Sequence, residues 1–266
     1  MPVITSSSNA TIKAIRALRQ RKERERTGLF YVEGIRLVGA AVDLVSDIET
    51  GVVAPELLRS EYGWTTVERL VERGVSRLEV SADVFRGISR KDGPQGIAAV
   101  VRQRWEVLEE IIPENELCWV ALTAVQDPGN LGTILRTSDA VGAAGVIMLG
   151  DATDPYDPGA VRASMGAIFS QRLVRASMEE LDAWKQRHGV MMVGTSDAAS
   201  VDYRDAPYPR PLILLMGSER EGLAPEEALR CDQMVSIPML GHGDSLNLAV
   251  ATGVMLYEVL RRHDIH

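Results

Sequence analysis

The chain has 266 residues, of which 45% are hydrophobic and 25% charged, and its formal net charge is −8. This length suits one large or two ordinary domains, and the composition is that of a globular protein. No apolar run is long enough to cross a bilayer, and the N-terminus lacks the apolar core of a secretory signal. We therefore expect neither a membrane protein nor an exported one.

Two cysteines, Cys118 and Cys231, lie far apart in the sequence, and neither belongs to a CxxC pair. Cysteines used in this way are typical of reduced thiols in a cytoplasmic protein, and they do not suit a zinc site. We predict a cytoplasmic protein without a bound metal.

The first 36 residues are basic although the whole chain is acidic. They contain eight Lys or Arg against three Glu, so this segment carries a net charge of +5 and the rest of the chain −13. A basic arm on an acidic body suits a partner that presents phosphates at one end. A solvated helix face explains the same charges more simply.

The first third of the chain predicts a small α/β unit. Ser8 or Asn9 can cap a helix that runs through ATIKAIRALRQRKER and ends at Gly28. Helices are also predicted at IRLVGAAVDL and TTVERLVERG. The predicted strands are 29–34, 48–54, 77–81 and 96–102. Because the next residues are polar and include a proline, we predict a first domain of residues 1–104, a linker of residues 105–116, and a second domain of residues 117–266.

The second domain predicts strands that alternate with helices. Four apolar runs, LCWVALTAV, GVIMLG, GVMMVGTS and PLILLMGSE, show no polar alternation. Such runs are typical of strands covered on both faces, which indicates a parallel sheet. Helices are predicted at 130–142, 158–168 and 178–188. A long last helix is predicted at 245–262, with an apolar stripe formed by Leu246, Val250, Val254, Tyr257 and Leu260.

The segment QDPGNLGTILR places a polar residue and a cation around the start of the first of these helices. Asn130 is a plausible N-cap, and Arg136 follows six residues later. An arginine in an otherwise apolar helix suggests an anionic ligand, although pairing with a carboxylate such as Asp139 is the simpler explanation.

Two later segments also combine glycine with polar residues. In LILLMGSEREGL, a strand leads into Gly217 and Glu219, which fits either a ligand loop or a simple strand-to-helix turn. The segment is not GxGxxG, so a nicotinamide-dependent oxidoreductase is disfavoured. In IPMLGHGDSLN, Ser245 suits a helix N-cap, whereas Asn247 has no evident structural need. A lone His242 on a loop is more often incidental than a general base.

Taken in order, N-x-G-x-x-x-R, G-S-E-x-x-G-L and I-P-M…S-L-N resemble the three motifs of the SpoU/TrmH family of RNA ribose 2′-O-methyltransferases, in the SPOUT class. Each motif is weak alone, but three in this order and spacing are specific. FYVEGIRLV and KDGPQGIAAVV resemble the substrate-binding domain of the ribosomal-RNA branch. The resemblance implies an α/β fold: a small N-terminal α/β RNA-binding domain, and a C-terminal parallel-sheet domain with a deep trefoil knot.

The resemblance also implies roles for individual residues. S-adenosylmethionine is expected in a pocket formed by Thr195, Ser196, Met216, Gly217, Ile237, Met239 and Leu246. Because a guanidinium stays protonated in proteins, we expect Arg136 to grip a phosphate and stabilise alkoxide charge rather than act as a base. Asn130, Glu219, Ser245 and Asn247 are expected to orient the ribose and Arg136. The residues expected to contact RNA are Lys13, Arg16, Arg19, Arg21, Lys22, Arg36 and Lys91.

Family members are homodimers, so we expect a homodimer in which Arg136 faces the partner's cofactor pocket. Ribosomal RNA is the expected substrate because transfer-RNA members usually lack this N-terminal domain. The alternatives are a transfer-RNA 2′-O-methyltransferase, a base methyltransferase of the same class, and a non-catalytic RNA-binding or ribosome-assembly factor.

Overall fold

The computed structural model describes residues 3–114 and 116–263. Residues 1–2 of the predicted first domain, Asn115 of the predicted linker and residues 264–266 of the predicted second domain lie outside the described residues. Contacts between residues group the described chain into two units. The first unit comprises the residues up to Gln103 together with Tyr156–Phe169, and the second comprises Arg104–Pro155 and the residues from Ser170 onward. The predicted second domain, 117–266, includes 156–169, but the contacts of this segment are with the first unit.

The first unit contains a mixed four-stranded sheet in the order β1-β4-β2-β3. Strand β4 runs antiparallel to both β1 and β2, and β3 runs parallel to β2. Helices α1 and α5 contribute to a core with side chains such as Ile12, Phe85 and Val100. The strands are β1 (Leu29–Glu33), β2 (Ile48–Val53), β3 (Ser76–Glu79) and β4 (Ile97–Arg102), and the first five helices are α1 (Ala10–Ala17), α2 (Arg21–Thr27), α3 (Ile35–Asp43), α4 (Glu61–Glu72) and α5 (Ala82–Ile88).

The first predicted helix is in fact two helices, α1 and α2. Asn9 caps α1 through its side chain, and Gly28, with a φ of 67°, ends α2. Between them Gln20 is extended, which turns the chain. The guanidinium of the buried Arg24 donates to the carbonyl oxygens of Leu18 and Arg19, at 2.9 Å each. These bonds satisfy carbonyls that the break leaves without helical partners, so the break is stable.

The segment 156–169 packs on β1, an edge strand of the first sheet. It forms helix α7 (Pro158–Ser164) and a short 3₁₀ turn at Ala167–Phe169. The ring of Phe30 lies 4.6 Å from that of Tyr156 and 6.2 Å from that of Phe169, measured between centroids. Burial of these aromatic rings explains why the segment belongs to the first unit.

The second unit is built on a six-stranded sheet in the order β10-β8-β9-β5-β6-β7. Every neighbouring pair is parallel, which confirms the parallel sheet predicted from the apolar runs. The strands are β5 (Trp119–Thr123), β6 (Gly145–Leu149), β7 (Arg172–Ala176), β8 (Met191–Thr195), β9 (Leu212–Met216) and β10 (Gln233–Val235), and the helices are α6 (Pro128–Val141), α8 (Met178–His188), α9 (Pro225–Ala228) and α10 (Leu248–Arg262). The deep trefoil knot stays a prediction.

The predicted linker is packed on the second unit rather than free. Leu108 and Ile111 are buried in its core, and the indole N–H of Trp184 donates to the carbonyl oxygen of Ile111 at 2.8 Å. Because the segment is mostly polar, the sequence pattern did not indicate that these two apolar side chains are buried. Nowhere in residues 3–114 and 116–263 is there a helix with the length and apolar character needed to span a membrane.

Candidate active site

Helix α6 begins two residues earlier than predicted, at Pro128. Asp127 is its N-cap, and its Oδ1 atom accepts a hydrogen bond from the backbone N–H of Asn130 at 2.8 Å. Pro128 suits the first helical position because no N–H is needed there. The prediction of Asn130 as the cap was therefore wrong. Since Asp127 does the capping, the side chain of Asn130 is available for other contacts.

Asn130 links the three sequence motifs through its side-chain amide. Its Nδ2 atom donates to Oε1 of Glu219 at 3.3 Å, and its Oδ1 atom accepts from Nδ2 of Asn247 at 2.9 Å. The carboxylate of Glu219 also accepts from the backbone N–H groups of Gln126 and Asp127, at 3.3 Å each. Residues 117 positions apart are thus fixed in one polar network, which we call the motif network (Glu219, Asn130 and Asn247).

The environment of Glu219 favours its ionised form. Partial burial raises the pKa of this carboxyl. The hydrogen bonds that it accepts from its own backbone N–H, from Asn130 and from the N–H groups of Asp127 and Gln126 outweigh burial, so the pKa falls below its ordinary value. Glu219 therefore acts in the network as a charged acceptor.

Asn247, not Ser245, caps the last helix. Its Oδ1 atom accepts from the backbone N–H groups of Ala249 at 2.9 Å and Val250 at 3.3 Å, so α10 begins at Leu248. The expectation that Asn247 has no structural role was wrong. The two ends of one amide have separate tasks, because Oδ1 caps the helix while Nδ2 reaches Asn130.

The loop after β9 folds back on itself and is not a simple strand-to-helix turn. Ser218 and Gly222 exchange backbone hydrogen bonds of 3.0 and 3.2 Å. A Cβ atom on Gly217 would lie 2.1 Å from the carbonyl carbon of Gly222 and 2.3 Å from the backbone nitrogen of Leu223. Only glycine fits this close approach. The fold-back brings Glu219 to the start of α6.

One cavity of about 250 Å³ lies where the carboxyl ends of β8 and β9 meet the loop before α10. Ligands of open parallel sheets bind at this edge. Glu219 and Ser245 line the cavity together with all seven residues predicted for the cofactor pocket, namely Thr195, Ser196, Met216, Gly217, Ile237, Met239 and Leu246. Residues far apart in the sequence are therefore brought together as expected.

Sequence reasoning missed other polar residues of this cavity. Asp197, Arg220, Glu221 and Asp244 also line it. Each lies within two positions of a predicted residue in the chain, so their positions in the motif loops were the available signal. With Glu219 they make a lining in which carboxylates outnumber cations by four to one.

Arg136 stands apart from this cavity. It is exposed on α6, does not line the cavity, and has no hydrogen-bond or ion-pair partner among residues 3–114 and 116–263. Asp139, the carboxylate considered as its partner, instead accepts from the hydroxyl of Ser170 at 2.5 Å. Asp139 therefore does not pair with Arg136, and the guanidinium of Arg136 is available for an anion.

The predicted RNA-contacting residues of the first unit fall into two classes. Arg19 donates to the carbonyl oxygens of Gly87, Ile88 and Ser89 at 3.2, 2.9 and 3.1 Å, so it mainly closes the end of α5. Arg16 is half-buried, and Arg21 pairs with Glu25 at 2.8 Å. The side chains that remain exposed are Lys13, Arg21, Lys22, Arg36 and Lys91.

Comparison with known families matches both parts of the chain. Residues 118–257 match the SpoU rRNA Methylase family, and residues 9–99 match the MRM3-like substrate binding domain. The chain is 33% identical to a 23S rRNA uridine 2′-O-methyltransferase of Streptomyces viridochromogenes, over 97% of this chain and 91% of that protein. It is 31% identical to a 23S rRNA guanosine 2′-O-methyltransferase of Bacillus subtilis, over 97% and 99% of the two chains.

Solved structures agree with the sequence matches. The AdoMet-bound rRNA methyltransferase from Sinorhizobium meliloti is 43% identical and superposes with a TM-score of 0.90, over 100% of this chain and 99% of that one. The SpoU methyltransferase AviRb from Streptomyces viridochromogenes, in complex with AdoMet, is 32% identical with a TM-score of 0.85, over 96% and 98% of the two chains. The two likenesses extend over both units.

Proposed function

The chain belongs to the SpoU rRNA methylase family, and on that basis we propose that it transfers the methyl group of S-adenosylmethionine to a ribose 2′-hydroxyl of ribosomal RNA. The observation that carries the proposal is that the three motifs meet at one site. The motif network contains Glu219, and Glu219 also lines the cavity formed by all seven predicted cofactor residues. The substrate is inferred from the relatives, whose names give 23S rRNA as their target.

The lining of the cavity suits S-adenosylmethionine in its apolar side chains and in its charge. Met216, Ile237 and Leu246 can cover the faces of an adenine ring, while the loops at Ser196 and Gly217 leave backbone amides near its edge. The sulfonium and the amino group of the cofactor are cationic, which suits the acidic lining, and Arg220 can meet its carboxylate. When bound, the cofactor supplies a methyl group on a good leaving group.

Because the methyl group is already activated, positioning of the ribose contributes much of the rate. We assign this positioning to the motif network and to Ser245, whose exposed hydroxyl lies at the cavity. Glu219 is held as a carboxylate and fixes the amide of Asn130, which in turn fixes Asn247. Arg136 is assigned to the phosphate beside the target ribose, where its charge also stabilises the developing alkoxide.

Arg136 does not line the cavity of its own chain, so we propose a homodimer in which it completes the partner's site. Helix α10 supports this arrangement, because Val250 and Tyr257 are 52% and 54% exposed although they are large and apolar. Leu246, at the cavity, is 36% exposed on the same part of the chain. Such a row of exposed apolar side chains is typical of an interface. We further infer a cytoplasmic location, which suits the two free thiols Cys118 and Cys231.

Transfer of radiolabelled methyl from S-adenosylmethionine to unmodified ribosomal RNA and, separately, to unmodified transfer RNA tests the function. We expect label in ribosomal RNA that leaves one linkage resistant to alkali, because a 2′-O-methyl group blocks attack by that oxygen. Label on a base would overturn the ribose assignment, and label in transfer RNA alone would overturn the substrate. Failure to bind S-adenosylmethionine would favour the non-catalytic RNA-binding alternative.

A further inference from the structure

The first unit contains a cavity of its own, about 280 Å³ in volume, beside the free edge of β1. Its lining comes from four places: β1 itself, α3, the loop that follows α5, and α7 with the residue before it. Arg90, Lys91 and Arg162 line it, as do Tyr31 and two carboxylates, Glu33 and Asp157. We call it the β1 cavity. None of these residues lines the cofactor cavity, and Lys91 is the one that is also a predicted RNA contact.

The two carboxylates of the β1 cavity are already engaged. Glu33 accepts hydrogen bonds from the hydroxyl of Ser89 and, at 3.1 Å, from the backbone N–H of Arg90. Asp157 accepts from the backbone N–H of Gly159 at 2.7 Å and lies 3.5 Å from the guanidinium of the buried Arg24. The negative charge of the lining is therefore committed to holding the cavity in shape.

The cations, by contrast, are largely free. The guanidinium groups of Arg90 and Arg162 are exposed and have no hydrogen-bond or ion-pair partner within residues 3–114 and 116–263. The ammonium group of Lys91 donates one hydrogen bond, to the carbonyl oxygen of Glu33 at 3.2 Å, which leaves two of its three N–H donors available. Three cations that converge on one cavity, with most of their donors unused, favour an anion there.

Tyr31 gives the β1 cavity an inner polar group. Its hydroxyl is buried, and no described residue forms a hydrogen bond with it. A buried hydroxyl without a partner is costly, so a ligand or a water is expected to meet it. Burial raises the pKa of Tyr31 well above its ordinary value, and the carboxylate of Glu33 adds to this effect, so the hydroxyl keeps its proton. It is therefore available as a donor.

We propose that the β1 cavity binds one phosphodiester of an unpaired nucleotide in the RNA substrate, with Arg90 and Arg162 on the phosphate and Tyr31 on a neighbouring oxygen. An unpaired nucleotide is favoured because a duplex presents its phosphates along a rigid outer surface, whereas reaching a buried hydroxyl requires a nucleotide turned inward. The inference rests on the proposed function for the identity of the RNA. The main phosphate contact of the first unit is then this cavity and not the basic helices α1 and α2.

The test compares two double variants of the full-length protein that lose the same charge. Arg90→Ala with Arg162→Ala removes the two free cations of the cavity. Arg59→Ala with Arg187→Ala removes two exposed cations that lie outside the predicted RNA contacts and serves as the matched control. Binding of unmodified ribosomal RNA is measured by filter binding over a range of salt. We expect the cavity pair to weaken binding at least tenfold and to lower the salt slope by about 1 to 2, and the control pair to weaken it less than threefold.

Tyr31→Phe is a finer probe of the same site. Because the hydroxyl has no partner within the described residues, its removal costs the folded protein no hydrogen bond. We expect RNA affinity to fall by about two- to tenfold, the effect of one hydrogen bond, and thermal stability to stay the same or rise, because a buried donor without a partner is removed. Equal losses in the cavity and control pairs, or full RNA affinity in both the cavity pair and Tyr31→Phe, would overturn the proposal.

Two further readouts separate this proposal from other outcomes. The cavity pair should raise KM for ribosomal RNA, keep kcat within twofold, and bind S-adenosylmethionine by calorimetry like the wild type. If inorganic phosphate binds the wild type at micromolar concentration without displacing RNA, the site serves a free anion and the RNA assignment is wrong. If the wild type binds RNA through the cavity but transfers no methyl group, the proposed function fails and the cavity site stands.

Discussion

Asn247 donates a hydrogen bond from Nδ2 to Oδ1 of Asn130 at 2.9 Å, and this contact joins the first turns of α10 and α6. The same side chain caps α10 through Oδ1. Helix geometry and the alignment of the motif network therefore depend on one amide. A residue with two tasks of this kind can be dissected by substitutions that keep one task and remove the other.

Replacing Asn247 by Ser should separate capping from the link to Asn130. Serine is as good an N-cap as asparagine, so we expect stability within about 0.5 kcal/mol of the wild type. Its side chain is one bond shorter than that of asparagine and has a single polar atom, which is held at the cap and does not extend to Asn130, so we expect methyl transfer to fall about tenfold or more, measured under single turnover. Asn247→Ala should lose both properties, with a stability cost of about 1 kcal/mol in urea unfolding. A fully active Asn247→Ser would show that the link to Asn130 is dispensable.

Glu219 should make stability depend on acid pH. Its folded pKa lies below its ordinary value of 4.5, so its contribution is complete above that pH and is lost as the pH falls through the folded pKa. We expect the stability difference between wild type and Glu219→Gln to shrink steadily as urea unfolding is repeated from pH 6 towards pH 3.

The neighbouring Glu221 offers a matched control for that experiment. It is exposed on the same loop, and its carboxylate accepts no hydrogen bond among residues 3–114 and 116–263. We expect Glu221→Gln to unfold within about 0.5 kcal/mol of the wild type at pH 6, where Glu219→Gln shows its full loss. A difference for Glu219→Gln that does not change with pH would mean that the motif network does not lower the pKa of Glu219.

The sequence predicted features that rest on local patterns and on the recognised motifs, and it missed features that rest on contacts between distant residues. The resemblance implied all seven cofactor residues, and they line one cavity because they lie at or beyond the carboxyl ends of parallel strands, which meet at one edge of the sheet. Both N-cap predictions for these helices failed, because Asn130 and Asp127 are both good caps, as are Ser245 and Asn247. Asn130 is instead held by its contact with Glu219, which is 89 positions away in the chain and which no local pattern indicates.

Two other differences between prediction and structure also arise from contacts between residues that are far apart in the chain. β7 was not predicted because RLVRA carries charges at two of five positions, and its Arg172 is tolerated there through an ion pair with Glu106 at 2.8 Å. The segment 156–169 was assigned to the second domain by its place in the chain. Its partner, Phe30, lies more than 120 residues earlier, and nothing in the local pattern indicates that pairing.

Gly217 should tolerate no side chain. A Cβ atom there would overlap the backbone of Gly222 and Leu223, which are not free to move like a side chain. We expect Gly217→Ala to destabilise the protein by about 1–3 kcal/mol and to abolish binding of S-adenosylmethionine measured by calorimetry. Gly253→Ala is the control, since its Cβ would meet only a methyl group of Thr137 at 3.8 Å. As a helical position it should gain up to about 1 kcal/mol. Equal behaviour of the two variants would contradict the close-approach argument.

Arg136 should matter for activity and not for stability. It is exposed and has no partner in the described part of the chain, so Arg136→Ala should unfold within about 0.5 kcal/mol of the wild type. We expect its single-turnover rate to fall by about 10²–10³, the usual effect of losing one group that stabilises developing charge. Arg187→Ala, an exposed arginine of α8, should keep full activity. Full turnover by Arg136→Ala would remove Arg136 from the proposed site.

Mixed dimers test whether two copies share one active site. Ser196→Trp should fill the cavity and abolish cofactor binding while leaving Arg136 intact. If each site takes its cavity from one copy and Arg136 from the other, a dimer of Ser196→Trp with Arg136→Ala has one site in which both parts are intact. Unfolding and refolding the two inactive variants together should then restore about a quarter of wild-type activity, because half of the random dimers are mixed and each has one working site. No recovery, with mixed dimers demonstrated by differential tags, would place Arg136 and the cavity of each site in the same chain.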